Sequence, residues 1–177
     1  MTSRTFTVFT LVIVAVFSRL IPHPWNLTAL GSVALFAGAY LKPRSLAFVV
    51  PLCAFLITDL ILGVHNTMLF TYAAVAICSL LGIRYLQKPR VVMVLGMSLA
   101  SSLIFFAISN FGVWVVGDLY PLNTQGFVNC FVMAVPFIQG QVLGDLLHSA
   151  VLFGSYSYLA KKFQFPSQSL SEPSSDC

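Results

Sequence analysis

The chain has 177 residues, of which 58% are hydrophobic and only 8% are charged, and its formal net charge at pH 7 is +4. Nine basic and five acidic side chains are too few to cover a water-soluble globule of this size. The composition therefore indicates an integral membrane protein and argues against a soluble enzyme or a nucleic-acid-binding protein.

Apolar runs long enough to cross about 30 Å of hydrocarbon predict six membrane-spanning helices. In chain order they cover residues 5–21, 27–41, 45–64, 67–83, 91–116 and 139–159. The second run is short, so its helix is expected to begin inside the preceding loop. Residues 127–138 are apolar but contain Pro136, and we interpret them as a separate interfacial or re-entrant segment. The predicted fold is an all-α, integral membrane six-helix bundle in residues 1–163, followed by a Ser-rich disordered cytoplasmic tail in 164–177.

The distribution of positive charge predicts the orientation of these helices. Eight of the nine Lys and Arg residues fall before the first run, in the second and fourth loops, or after the last run: Arg4, Lys42, Arg44, Arg84, Lys88, Arg90, Lys161 and Lys162. Cytoplasmic loops carry an excess of Lys and Arg. We therefore predict a multi-pass protein of a bacterial inner membrane with both termini in the cytoplasm.

Polar side chains concentrate toward the opposite, outer end of the predicted bundle. Arg19, Asp59, Asn110 and Asp145 each lie within about 10 Å of that boundary at 1.5 Å per helical residue. A charged side chain inside a membrane span costs about 2.5–3.5 kcal/mol at the helix centre, so such residues usually face a cavity or a partner. We expect a wet pocket in the outer half. Internal pairing is the alternative, with Arg19 bound to one of the two aspartates and Asn110 bonded to a neighbouring helix.

The outer loops and helix ends supply further candidates for this pocket. They are His23, Asn26, His65, Thr67, Trp114 and Tyr120. For the aromatic members, a place in the interfacial aromatic belt is the competing interpretation. Cys78 lies near mid-membrane, where a thiol usually acts as a small apolar side chain, and the cysteine spacing indicates no metal site. Ala34 and Gly38 form a small-residue face that more often serves contact between helices of one chain.

Six stretches together resemble a known family. They are RLIPHPWN (19–26), ALFAGAY (34–40), TDLILG (58–63), HNTM (65–68), NFGVW (110–114) and LGD (143–145). As a set they are similar to the substrate-binding S-components of energy-coupling-factor vitamin transporters, with the solitary cobalamin transporters as the nearest characterised relatives. The resemblance covers about residues 19–153.

The resemblance implies a six-helix fold that captures a vitamin or related micronutrient in an outward-facing pocket. It implies that the pocket residues include His23, Asp59, His65, Thr67, Asn110 and Asp145. S-components often carry an AxxxA face on the first helix for the coupling subunit, whereas residues 5–21 contain only Ala15, so the need for an energising module is open. In the cobalamin transporters a membrane cysteine is thought to ligate cobalt, and Cys78 is the weak candidate for that role.

The sequence thus favours a membrane transport protein that binds a small organic micronutrient, cobalamin among the candidates, with no cofactor and no nucleic-acid partner. The lipid bilayer and an energising transporter module are the other partners considered. Two alternatives belong to other classes. One is a small intramembrane enzyme that uses Asp59, Asp145 and His148 as acid–base groups. The other is a structural subunit whose polar residues only pair internally.

Overall fold

A computed structural model describes residues 3–21 and 27–162, with side chains described for 6–21 and 27–160. These residues form six helices: α1 (Ser3–Leu20), α2 (Leu30–Tyr40), α3 (Ser45–Leu62), α4 (Met68–Tyr85), α5 (Val91–Val116) and α6 (Thr124–Lys162). The all-α prediction is confirmed over this part of the chain. The candidates His23 and Asn26 and the predicted tail at 164–177 lie outside the described residues.

Four of the helices are long and apolar enough to cross a membrane, namely α3, α4, α5 and residues Thr124–Ala160 of α6. The protein is therefore a helical membrane bundle. Helix α2 has 11 residues and spans only about 16 Å. Nine of its residues, from Leu30 to Gly38, are buried. A helix that is apolar on every side is stable when other helices surround it, and α2 occupies that central position.

Small residues allow α2 to pack closely against α4. A methyl group placed on Gly38 would lie 2.3 Å from the backbone oxygen of Ser79, and one on Gly82 would lie 2.3 Å from the backbone oxygen of Leu35. The two backbones are therefore in direct contact, as small residues in membrane helices permit. The expectation that the Ala34–Gly38 face serves contact within the chain is confirmed.

Helix α6 differs from the prediction. It runs without a break for 39 residues, about 58 Å, with Pro136 inside it. The first half packs on α5, where the Phe127 ring meets Trp114 and the Phe131 ring meets Phe106 at centroid distances of 5.2 and 5.9 Å. Proline removes one backbone donor, but helices in membranes tolerate it where neighbouring helices support the chain. The prediction that residues 127–138 form a separate segment is wrong because this aromatic packing holds them in the helix.

The helices alternate in direction, which gives the bundle two distinct ends. One end of the bundle holds the last residues of α2 and α4 and the first residues of α3 and α5. It is called the basic end here. The charged residues whose side chains are described at this end are Lys42, Arg44, Arg84, Lys88 and Arg90. At the other end α1 meets α3 through Arg19 and Asp59, and α4 begins beside the last turns of α5. This second end carries the candidate site and is called the cavity end.

Candidate functional site

A cavity of about 280 Å³ lies between the helices at the cavity end. Half of its fourteen lining residues are polar and half are apolar, with four phenylalanines among the apolar ones. The lining residues are Arg19, Thr28, Leu30, Phe55, Thr67, Thr71, Phe105, Phe106, Ser109, Asn110, Val113, Ala134, Phe137 and Gln141. Ligand pockets have this character, since an apolar wall is combined with a few polar groups that fix orientation.

Helical periodicity explains which residues of α5 and α6 reach the cavity. Helix α5 contributes Phe106, Asn110 and Val113, and α6 contributes residues 134, 137 and 141. Each set is spaced by three or four positions and so lies on one face of its helix. The wall on this side is therefore built by two facing helix stripes that combine aromatic rings with amide side chains.

Arg19 and Asp59 form a buried ion pair beside the cavity. The Arg19 Nη1 lies 2.5 Å from Asp59 Oδ1 and donates to Thr58 Oγ1 at 2.6 Å. The second carboxylate oxygen, Oδ2, accepts a hydrogen bond from the Tyr72 hydroxyl at 3.0 Å. Asp59 is 1% exposed, so the arginine charge is what allows this carboxylate to sit inside the bundle. The ion-pair interpretation of Arg19 and Asp59 is confirmed.

The guanidinium of Arg19 also faces the cavity. It stacks on the Phe55 ring, with Cζ 4.1 Å from the ring centroid, and both residues are lining residues. The polar contacts of Arg19 with the described residues all use Nη1, which meets Asp59, Thr58 and the Phe55 carbonyl oxygen at 3.4 Å. The N–H groups on Nη2 and Nε find no acceptor in this part of the chain. Guanidinium N–H groups suit a carboxylate, carbonyl or phosphate oxygen.

Two amide side chains add further polar groups to the wall. Gln141 is 9% exposed, lines the cavity and forms no hydrogen bond with any described residue. Asn110 donates from Nδ2 to the Phe106 carbonyl oxygen at 2.8 Å, and its Oδ1 receives no hydrogen bond from the described residues. Buried amides are ordinarily hydrogen-bonded. Gln141 and Asn110 therefore present amide atoms that water or a ligand in the cavity can bond.

Asp145 lies below this cavity and does not line it. Its carboxylate is 2% exposed and is held at the junction of α2, α5 and α6. The Ser32 backbone N–H donates to Oδ1 at 3.1 Å, and Ser102 Oγ lies 2.7 Å from Oδ2. The proposed direct contact of Asp145 with a ligand in this cavity has no support in the geometry, because these neighbours turn the carboxylate into the helix junction.

The other predicted residues divide into three groups. Thr67 lines the cavity, and its Oγ1 lies 3.1 Å from Nδ1 of His65. His65 itself lies beside the ion pair, with Nε2 3.9 Å from Asp59 Oδ1. Trp114 and Tyr120 line no part of this cavity. The Trp114 Nε1 donates to the Pro121 carbonyl oxygen at 3.1 Å, which fixes the loop between α5 and α6 instead.

Cys78 is fully buried between α4 and α5, where it accepts a hydrogen bond from Ser101 Oγ at 3.1 Å. It does not line the cavity, so the geometry gives no support for a cobalt-ligand role at this site. Among the described residues, no group of three His, Cys, Asp or Glu side chains is arranged to hold a metal ion.

Several lining residues were absent from the predicted site. Gln141 lies four residues before Asp145 and shares a helix face with it, which is the sequence signal that places it near the other polar residues. Arg19 was expected near the pocket, with pairing to an aspartate as the alternative, and it both pairs with Asp59 and lines the cavity. The four phenylalanines could not be selected from sequence, because the chain has 16 phenylalanines and apolar helices give no indication of which face turns inward.

The fold and the cavity define a helical membrane protein with a small, half-polar cavity at one end. The chain belongs to DUF6580, a family of unknown function, whose profile matches residues 1–169. No curated protein and no solved structure matches the chain.

Proposed function

We propose that this protein is a membrane transport protein that binds a small organic micronutrient in the cavity. The observation that carries the proposal is Gln141, a nine-tenths buried amide that lines the cavity and has no hydrogen-bond partner among the described residues. Its amide therefore offers both a donor and an acceptor to a ligand or water in the cavity. The N–H groups of Arg19 that find no acceptor among the described residues add a positive anchor.

The lining residues indicate the chemistry of the ligand. Arg19 suits an oxygen anion or carbonyl, and the amides of Asn110 and Gln141 suit further hydrogen-bonding atoms. The phenylalanine rings at 55, 105, 106 and 137 suit a flat or ring-containing body. A volume of about 280 Å³ is at the lower limit for drug-sized ligands, about 300–1,000 Å³. The ligand is thus a small ring-containing vitamin or related compound in preference to cobalamin, which is much larger.

The resemblance to vitamin-transporter S-components supports the same proposal but not a dependence on their energising module. The outward face of α1 carries large side chains, with Phe9, Ile13 and Phe17 more than half exposed. The only alanine of this helix, Ala15, is fully buried in the bundle. Helix α1 therefore lacks the small-residue face with which S-components contact a coupling subunit, and we propose a transporter that works without one.

We place the protein in a bacterial inner membrane with the cavity end outside. The basic end carries Lys42, Arg44, Arg84, Lys88 and Arg90, and positive loops remain in the cytoplasm. A green fluorescent protein joined after residue 177 is expected to fluoresce, since it folds in the cytoplasm and not after export. A dark fusion that is nevertheless present in the membrane would reverse this orientation.

The enzyme alternative has less support. Of the fourteen lining residues, all within the described part of the chain, none carries a carboxylate, imidazole or thiol that could act as general acid or base. Asp59 is held by Arg19, and the His148 Nδ1 lies 2.7 Å from the Gly144 carbonyl oxygen of its own helix. These groups lie outside the cavity, whereas acid–base catalysis requires them within hydrogen-bond reach of the substrate.

Native mass spectrometry of the purified protein tests the proposal. We expect an intact small organic molecule bound to the wild type and lost from Gln141→Leu. Gln125→Leu is the matched control, because Gln125 lies on the same helix, is exposed and bonds Asn129 instead of lining the cavity. Loss of the molecule from both variants, or from neither, would contradict a site at Gln141. Conversion of the molecule by the protein would favour the enzyme.

A further inference from the structure

Asp145 is the one described carboxylate that is buried without a cation. The ion pairs of the described residues join Asp59 to Arg19 and to His65. Asp145 is 2% exposed and its oxygens contact only serine groups and backbone. An ionised carboxylate in such surroundings is strongly disfavoured, and membrane proteins rarely retain one without a function.

The hydrogen-bond geometry favours a protonated acid. Ser102 Oγ lies 2.7 Å from Asp145 Oδ2 and 3.0 Å from the Ser98 carbonyl oxygen. A serine hydroxyl has one proton and can donate to only one of these acceptors. If Asp145 holds a proton on Oδ2, it donates to Ser102 Oγ, and Ser102 donates to Ser98. Both short contacts are then hydrogen bonds.

The other oxygen of the carboxyl group fits the same arrangement. Ser32 Oγ lies 2.7 Å from the Asp145 backbone oxygen and 3.4 Å from Oδ1, so its single proton belongs to the backbone oxygen. Oδ1 then receives the Ser32 backbone N–H at 3.1 Å. In a neutral acid Oδ1 is a carbonyl oxygen, for which one donor is sufficient. A carboxylate anion is usually stabilised by several donors, so the single donor favours the neutral acid.

The elements packed around Asp145 bring no positive charge to it. Helix α2 contributes Ser32, whose backbone N–H donates to the carboxylate, and Gly31. Gly31 packs so closely that a methyl group added to it would lie 2.4 Å from Asp145 Oδ1. Helix α5 presents Ser102, and beyond it Ser101 bonds Cys78 of α4. On α6 the nearest titratable side chain is His148, three residues on, which is turned toward its own backbone.

We propose that Asp145 is a proton-binding site, occupied at neutral pH, whose release and uptake of a proton are linked to movement of α2, α5 and α6. The proton that leaves Oδ2 passes to water, and the site becomes a carboxylate. That charge cannot remain in the closed junction, so ionisation requires water to enter between the three helices. Gln141 lies one turn from Asp145 on α6, which connects the junction to the cavity wall. The proton site stands on these contacts alone, whereas its use in driving uptake rests on the proposed function.

Infrared spectroscopy tests the resting proton directly and needs no ligand. The chain has five acidic residues, so the carbonyl stretching region of protonated carboxyl groups is sparsely populated. In the full-length protein at pH 7 we expect one such band, removed in Asp145→Asn and retained in Asp118→Asn, the exposed loop control. Ser102→Ala is expected to shift the band to higher frequency, since the acid loses its acceptor. Absence of the band in the wild type, or its persistence in Asp145→Asn, would overturn the proposal.

A labelling experiment tests the link to movement. Ser109→Cys places a thiol in the cavity wall and Leu119→Cys places one on an exposed loop, and a water-soluble maleimide measures the ratio of their labelling rates. The same ratio measured with Asp145→Asn controls for the pH dependence of the two thiols themselves. We expect this ratio to rise at least threefold as the infrared band disappears with increasing pH, and to stay constant when Asp145→Asn is added. The same rise in both backgrounds would assign it to another group and would overturn the link. Because neither measurement uses a ligand, a failed ligand search would leave both results interpretable.

Discussion

The contact between α2 and α4 offers a sharp test of the bundle that holds the cavity. Gly38→Ala adds a methyl group that would lie 2.3 Å from the Ser79 backbone oxygen and 2.7 Å from the Ile83 backbone nitrogen. Ordinary van der Waals contact begins at about 3.4 Å. The two helices must therefore separate by about 1 Å, because backbone atoms cannot turn aside as a flexible side chain can.

The size of the effect follows from two opposing contributions. Overpacking of this kind costs about 1–3 kcal/mol, and a gap of 0.5–1 Å along the remaining interface removes about a quarter to a half of each dispersion contact. Alanine favours the helix over glycine by about 1 kcal/mol. Gly154→Ala is the matched control, since nothing lies within 4 Å of the added methyl group and only the favourable contribution operates. We expect Gly38→Ala to be less stable than Gly154→Ala by about 1–3 kcal/mol.

Unfolding by sodium dodecyl sulfate in mixed micelles, followed by circular dichroism, measures this difference. Both variants replace glycine by alanine in a helix, so their unfolded states change in the same way and the comparison isolates the contact. A Gly38→Ala protein as stable as Gly154→Ala would show that α2 and α4 are not in backbone contact. The position of α2 at the centre of the bundle would then be refuted as well.

Three further substitutions probe the surroundings of the cavity by the same unfolding measurement. In Gly112→Ala the added methyl group would lie 2.5 Å from the Phe70 side chain. Because that side chain can partly move aside, we expect the free energy of unfolding to fall by about 1 kcal/mol. A larger loss than that of Gly38→Ala would contradict this reasoning. Tyr72→Phe removes the hydroxyl that donates to Asp59 and is expected to cost about 1.5–3 kcal/mol, whereas unchanged stability would mean that the bond is absent. Ser79→Ala removes a buried hydroxyl without a partner among the described residues, so a gain of about 1 kcal/mol is expected and a loss would reveal a missed partner.

The sequence was sufficient for the membrane class and the approximate helix positions. A long apolar run bounded by charged or Pro-containing loops is expected to form a helix in a bilayer, since the backbone N–H and C=O groups of a spanning segment must be hydrogen-bonded within the protein. The same physics explains the accumulation of Arg19, Asp59, Asn110 and Asp145 toward one end, because charged and polar groups are least costly near the boundary or beside a partner. The error at Pro136 arose because its aromatic neighbours on α5 are distant in sequence.

The tertiary structure decided which of these polar groups share a site. Asp59 turns to Arg19, Asp145 turns to Ser32 and Ser102, and Gln141 and Asn110 face the cavity. The apolar helices have nearly uniform faces, so the sequence carries little information on their rotation. A rotation of 100° per residue separates neighbouring positions on a helix, and only the packing of α2 against α4 and of α5 against α6 fixes which positions turn inward. The sequence by itself thus determined the polar end of the bundle, and the packing of the helices determined the cavity within it.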